Sequence, residues 1–368
     1  MEFDLIARIR DRCAHQRSDV ALGIGDDAAL LDVPPGQQLV ACTDTLVAGV
    51  HFPSGTAPED IGWKSLAVNL SDLAAMGAEP AWALLALTLP DADVPFVEHF
   101  ADGFATLANQ HAVALIGGDI TQGPLSVTVT ALGFIPRDSA LTRGGARVGD
   151  AVFVTGTLGD AAGALCLLQD LQESHPPRSP FARKGEDKPR PLPAEGRSGA
   201  NARASAGREA AGGGVAAFRQ HVREDADASL LARLNRPEPR VAAGLALRGG
   251  ASACIDVSDG LLADLGHVCA ASGVGAEIEA DALPVSSQLA ASFDAQTCRD
   301  LALSGGDDYE LCFIAPLARE TEIVEKLAHA GCGVTRIGRI VSGSNVRVLD
   351  ANANEIEIAR AGWEHFPR

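Results

Sequence analysis

The residues best suited to chemistry in this chain are aspartates set beside glycine, serine or threonine: Gly25-Asp26-Asp27, Thr43-Asp44-Thr45, Ser71-Asp72, Gly117-Gly118-Asp119, Asp256-Val257-Ser258-Asp259-Gly260 and Gly305-Gly306-Asp307-Asp308. Carboxylates on tight turns repel a bare phosphate but bind hard cations. Mg²⁺ is typically held by one or two carboxylates together with substrate phosphates. The set points to an enzyme that holds a nucleotide through several Mg²⁺ ions. Each cluster alone has an ordinary explanation. Aspartate beside glycine forms turns, Thr43-Asp44 fits an Asx or ST turn, Asp72 a solvated helix face, and Ser258 a helix cap. Their joint recurrence, mostly at strand ends, carries the argument, and Asp256, at the end of an apolar strand, is left unexplained by those ordinary readings. Backbone amides at Gly117-Gly118, or at the helix start after Ser258, are candidates to face phosphate.

Other catalytic templates fail. The sequence holds no GxxxxGK[ST] loop, no GxGxxG fingerprint, no HExxH and no GxSxG elbow. Acidic residues number 48 against 30 basic ones, a formal net charge of -18. That excludes the basic footprint expected of a nucleic-acid or anionic-membrane binder. With 368 residues, 46% of them hydrophobic, the chain can bury a large core in about two domains. Its eight cysteines are scattered without CxxC spacing, the start Met1-Glu2-Phe3-Asp4-Leu5 has no basic export region, and no apolar run approaches a membrane span. A cytoplasmic protein with reduced thiols is expected.

The elements that must position these aspartates alternate between strand and helix. Gln38–Cys42 reads as a short strand delivering Thr43-Asp44-Thr45 to its end. Leu66, Leu70 and Leu73 give a helix over 61–76 stopped by Gly77 and Pro80, with Lys64, Val68 and Asp72 on a different stripe. Trp82–Leu89 reads as a strand, 95–110 as a helix, Val113–Ile116 as a buried strand ending at Gly117-Gly118-Asp119, and Leu125–Phe134 as a half-exposed strand. Beyond Gly149-Asp150, strands are expected at Ala151–Thr155, Ala253–Asp256 and Tyr309–Ile314, with helices over 160–169 and after Gly260. Gly-Asp-Asp occurs once in each half, a hint of related halves. The Pro-, Gly- and Arg-rich stretch 173–221 cannot bury enough apolar surface to offset ordering, so a disordered surface insertion is expected there.

Taken in order, Gly23-Ile24-Gly25-Asp26-Asp27, Thr43-Asp44-Thr45-Leu46-Val47, His51-Phe52, Asn69-Leu70-Ser71-Asp72-Leu73-Ala74-Ala75-Met76-Gly77, Gly117-Gly118-Asp119, Asp256-Val257-Ser258-Asp259-Gly260 and Gly305-Gly306-Asp307-Asp308-Tyr309-Glu310 closely resemble the thiamine-monophosphate kinase family. That family belongs to the aminoimidazole ribonucleotide synthetase-like superfamily. The resemblance implies an α/β (α+β) fold with an N-terminal ATP- and Mg-binding domain over 1–137 that pairs into a dimer sheet or barrel, and a C-terminal α/β domain over 138–368. It implies ATP-dependent phosphorylation of thiamine monophosphate to thiamine diphosphate by direct γ-phosphoryl transfer, in a homodimer. Asp27, Thr43, Asp44, Asp72, Asp119, Asp256 and Asp259 would bind several Mg²⁺ ions. Gly118, Asp119, Arg143 and Ser258 would contact ATP, and His51, Asp307 and Trp363 the thiamine monophosphate. The chain departs from the pattern at Cys42, where relatives often place serine or threonine, and at Asp307, where glutamate is frequent. Two rivals are another ATP-dependent synthetase of the superfamily and a non-catalytic divalent-ion-binding scaffold. A selenophosphate synthetase would need a cysteine and lysine in an N-terminal glycine-rich loop, whereas Cys13 lies in an Arg-rich, helix-like stretch.

Overall fold

The computed structural model describes residues 2–13, 17–174, 227–358 and 360–363. After helix α1 (Glu2–Arg12) and the short pair β1 (Val20–Leu22) and β2 (Leu30–Leu31), the N-terminal half builds a four-stranded sheet. Its strands are β3 (Gln37–Val47), β4 (Glu79–Leu89), β5 (Ala114–Gln122) and β6 (Ser126–Pro136), in the order β3-β6-β4-β5. Only the β4–β5 pair is parallel. Helix α2 (Pro58–Ala75) connects β3 to β4, α3 (Val94–Gln110) connects β4 to its parallel neighbour β5, and the two helices pack together against the sheet. Proline in its first turn with Glu59 and Asp60 beside it starts α2, a choice suited to unpaired N–H groups and the positive helix end. It stops at Gly77 (φ +67°), where Ala78 N–H bonds back to Leu73 O at 2.7 Å. Leu66, Leu70 and Leu73 are fully buried, as their spacing requires.

The C-terminal half forms a six-stranded sheet from β7 (Ala151–Thr155), β8 (Ala253–Val257), β9 (Gly275–Glu279), β10 (Glu310–Ala315), β11 (Val334–Val341) and β12 (Val346–Leu349), in the order β12-β9-β11-β7-β10-β8. Helix α4 (Asp160–Ser174) follows β7, and α5, described over 227–235, precedes α6 (Val241–Leu247). Helices α7 (Leu261–Ser272), α8 (Ser287–Ser292), α9 (Ala295–Ser304) and α10 (Glu320–His329) complete the half. Alternation along the strands sorts side chains to two cores. Val152, Val154, Ile255, Val257, Cys312 and Ile314 pack with Leu261, Leu265 and Val268 of α7. Phe153 and Phe313, paired across β7 and β10 and stacked with centroids 5.1 Å apart, point the other way, into a core shared with α2, α6 and α10. One hydrophobic core therefore runs through both halves, and α2 lies between the two sheets.

Two turns expected to follow strands lie inside strands instead. Thr43-Asp44-Thr45 sits in the middle of β3, because β-branched Thr43 and Thr45 continue the ladder opposite Thr130 and Thr128. Gly117-Gly118-Asp119 lies within β5, past a bulge at which Ile116 is the extra residue between Ala83↔Leu115 and Leu84↔Gly117. Helix α4 extends to Ser174, so residues 173 and 174 of the expected insertion are helical, and 175–221 lie outside the described residues. Among the described residues no helix is long and apolar enough to cross a membrane.

Candidate active site

Strand alternation divides the expected ligand residues between the two faces of the N-terminal sheet. On β3, Cys42, Asp44 and Leu46 turn toward α2, while Thr43 and Thr45 turn outward. Thr43 Oγ1 donates to Val129 O at 3.1 Å and lies 3.0 Å from Thr130 Oγ1. Across the outer face, register aligns Thr45, Thr128, Ala86 and Asp119 in one row. The side chains of Thr43 and Asp44, expected as neighbouring ligands, therefore point to opposite faces, although both residues border the inner cavity.

The inner face opens onto a cavity of about 430 Å³ between the two halves. It is lined by Asp44 and Thr43 of β3, Val68 and Asp72 of α2, His51, Asp256, Ser258, Asp259, Asp307, Tyr309 and Trp363, among others. Most of the expected set thus meets in one place. Asp72 shares its face of α2 with Val68, one turn back, on the stripe distinct from the leucines. Asp256, at the end of β8, is buried and accepts a hydrogen bond from Ser71 Oγ at 2.8 Å. Asp27, Gly118 and Asp119 line a second cavity, of about 1060 Å³, on the outer face with Thr128 and Thr130. Within one chain the structure does not bring them to the inner cavity. Gly118 has no room for a side chain: a Cβ there would fall 1.8 Å from Leu85 O, at φ +154°. Asp27 N–H is bonded to Asp26 Oδ1 at 2.8 Å, the ordinary turn geometry.

The inner cavity concentrates negative charge that few side chains offset. Burial, then Asp256 and Asp44, push the Asp72 carboxyl up to about 8. Burial pushes Asp256 up to about 6, with the Ser71 hydroxyl opposing, and burial also raises Asp44. Arg143, exposed on the loop before β7, lowers both Asp72 and Asp256 by its charge. Among the described residues, no three His, Cys, Asp or Glu side chains form a ready ligand cluster for a metal. An oxygen-rich, charge-strained wall still suits Mg²⁺, which leaves much of its shell to water and phosphate.

Several details were not visible in the sequence. Asp264, in the first turn of α7, accepts the N–H groups of Ser258, Asp259 and Gly260 with one oxygen, at 3.0, 3.1 and 3.2 Å. The loop amides just ahead of the helix are thus taken by the chain's own carboxylate, and the residue at the helix cap is Gly260, not Ser258. Burial pushes Asp264 up to about 7, with Asp256 and Asp259 adding to the rise. The available signal was an acid in the first turn of a helix entered through glycine. Of the pair Asp307-Asp308, only Asp307 lines the cavity; Asp308 turns inward and accepts Gly159 N–H at 2.9 Å. The following Glu310, fully buried, is held by Thr155, Arg233 and Arg240 at 2.6–2.8 Å. His51 Nδ1 accepts Val47 N–H at 3.0 Å, which places its neutral-state proton on Nε2. Trp363 is 48% exposed at the cavity rim, its backbone N–H bonded to Asp259 O at 2.9 Å and Arg360 over its ring at 5.5 Å. Cys42 Sγ lies 3.3 Å from Asn69 O, and burial raises its thiol pKa, so it serves as packing between β3 and α2.

Comparison with known proteins places the chain in a family. Residues 25–135 match the model of the AIR synthase related protein N-terminal domain, and residues 205–351 that of the C-terminal domain. A thiamine-monophosphate kinase of Escherichia coli (strain K12) is 41% identical over 366 residues, covering 99% of this chain and 98% of the relative. The crystal structure of a thiamine-monophosphate kinase from Stenotrophomonas maltophilia K279a superposes with a TM-score of 0.77 at 48% identity, covering 94% of this chain and 96% of that one. A structure described as AaThiL complexed with AMPPCP and TMP superposes with a TM-score of 0.67 at 30% identity, covering 99% and 97%.

Proposed function

This chain belongs to the thiamine-monophosphate kinases of the AIR synthase related family, and we infer that it phosphorylates thiamine monophosphate to thiamine diphosphate at the expense of ATP. The observation that carries the reading is the inter-domain cavity, where Asp44, Asp72, Asp256 and Asp259 face His51, Asp307 and Trp363. A phosphate oxygen of thiamine monophosphate attacks the γ-phosphorus of ATP. The bond from that phosphorus to the β–γ bridging oxygen breaks, and ADP leaves with the electron pair. The attacking oxygen is already anionic at neutral pH, so no strong base is required; positioning and charge neutralisation carry the catalysis.

Asp44, Asp72, Asp256 and Asp259 would hold Mg²⁺ on the inner face, with Thr43 at its border, and Asp27 and Asp119 on the outer. Bound there, Mg²⁺ supplies the positive charge that lets two polyanions approach. Ser71 and Asp264 keep Asp256 and the 258–260 loop in place. Arg143 and Ser258 contact the nucleotide on the inner side, whereas Gly118 and Asp119, on the other face of the sheet, reach a nucleotide only across the dimer. His51, Asp307 and Trp363 bind the thiamine moiety.

The same reading divides the chain at 137/138 and makes it a homodimer paired through the outer face of β3-β6-β4-β5. Exposed Leu39 and Leu84 on that face, beside a cavity lined by Asp27, Gly118 and Asp119, support the pairing. A cytoplasmic location fits the eight cysteines, scattered through the sequence without CxxC spacing. A synthetase using Cys13 as nucleophile is disfavoured, because that thiol is buried with its Sγ against Ala101 O of α3 at 3.8 Å, and burial raises its pKa. The test is incubation with ATP, Mg²⁺ and thiamine monophosphate, followed by chromatography for thiamine diphosphate. Metal-dependent product from the monophosphate, and none from free thiamine, supports the reading; no product with ATP consumed as inorganic phosphate rejects it.

A further inference from the structure

Helix α2 sends a buried cation to the substrate side of the cavity. Lys64 Nζ donates to Asp307 Oδ2 at 3.0 Å and to His51 O at 3.2 Å. Its side chain is 3% exposed, against 24% for Asp307, so the ammonium is sealed behind the carboxylate. Tyr309 OH donates to the other oxygen, Asp307 Oδ1, at 2.9 Å. Asp307 and Tyr309 both take left-handed backbone conformations, φ +67° and +51°. Such conformations are unfavourable for non-glycine residues and persist where the surroundings fix them. Lys64 lies on the face of α2 that also carries Ser71, the partner of Asp256, so one helix braces a carboxylate on each side of the cavity.

A carboxylate accepts at about four lone-pair positions. Lys64 and Tyr309 occupy one on each oxygen, neutralise the charge and leave the rest directed at the cavity. Asp307 so held is a poor counter-ion for the substrate's thiazolium but a well-aimed acceptor for N–H. We propose that Lys64 is a positioning residue for specificity: with Tyr309 it makes Asp307 an acceptor for the exocyclic amino group of the substrate's aminopyrimidine ring. The proposal rests on the reading of the chain as a thiamine-monophosphate kinase.

The test compares thiamine monophosphate with the analogue in which a carbonyl oxygen replaces that amino group, in the full-length wild-type protein, Lys64→Met and Tyr309→Phe. A site built around a hydrogen bond rejects the analogue strongly, so wild-type kcat/KM should favour the amino substrate by about 100-fold or more. In Lys64→Met the preference should fall to less than about 10-fold, through a higher KM for thiamine monophosphate with KM for ATP unchanged. Tyr309→Phe should move it the same way by a smaller amount, and it decides the matter if Lys64→Met does not fold. An unchanged preference in the folded variants, or parallel loss in both KM values, overturns the proposal. Calorimetric binding of the two compounds separates this result from failure of the kinase reading. Wild-type binding that prefers the amino compound without turnover sinks only the reaction, and binding of neither sinks both.

Discussion

Replacing Asp264 with alanine removes the oxygen that gathers the N–H groups of Ser258, Asp259 and Gly260. Hydrogen bonds to a charged group are worth about 1.5–3 kcal/mol each, but three donors sharing one oxygen are not additive. The cost of burying the charge, visible in a carboxyl pushed up to about 7, offsets part of the gain. The balance predicts a net destabilisation of about 2–4 kcal/mol for Asp264→Ala. Asp264→Asn keeps an oxygen acceptor and sheds the buried charge, so it should stay within about 1 kcal/mol of wild type. Equilibrium unfolding in urea measures both. Hydrogen exchange localises the effect: in the alanine variant the amides of 258–260 should exchange about 30-fold faster or more, since 1.4 kcal/mol is tenfold. Turnover should fall with it, because Ser258 and Asp259 ride on that loop. Wild-type protection of those amides in a folded Asp264→Ala protein would refute the bracing role.

Two further outcomes follow from the N-terminal sheet. Gly118→Ala, which sets a Cβ 1.8 Å from Leu85 O, should cost about 3 kcal/mol or more and lower the melting temperature; an unchanged melting curve would contradict the close approach of β5 to β4. Leu84→Asp puts a charge on the exposed outer face and should shift the protein from dimer to monomer in sedimentation at micromolar concentration; an intact dimer would place the pairing surface elsewhere.

Residue spacing revealed the helices and the buried strands because burial imposes a period that composition cannot hide. Leu66, Leu70 and Leu73 gave α2, and Ala151–Thr155 was found to the residue. Strand ends were less legible. Threonine is both a turn residue and a strand former, so the ladder partners Thr130 and Thr128, distant in sequence, decided that β3 runs on to Val47. The aspartates declared a site by repetition, but not which side of a sheet each would face. That follows from register, and it separates Asp44 from Thr43 and Asp119. Spacing puts Lys64 on a stripe distinct from the leucines, yet its burial beside Asp307 depends on that residue arriving from the other half of the chain. Asp264 likewise became informative only once the loop folded around it.

The central claim is that the inter-domain carboxylates support direct transfer of the γ-phosphoryl group to thiamine monophosphate. The most direct measurement supplies ATP labelled in its γ-phosphate to wild type and Asp72→Asn, and follows the label. Wild type should place it in the terminal phosphate of thiamine diphosphate, one for each ADP formed. Asp72→Asn should fold normally, since the amide replaces a carboxyl that burial already pushes up to about 8, and should lose about 100-fold or more in kcat. Label released as inorganic phosphate by wild type, or undiminished transfer by Asp72→Asn at saturating Mg²⁺, would contradict the account.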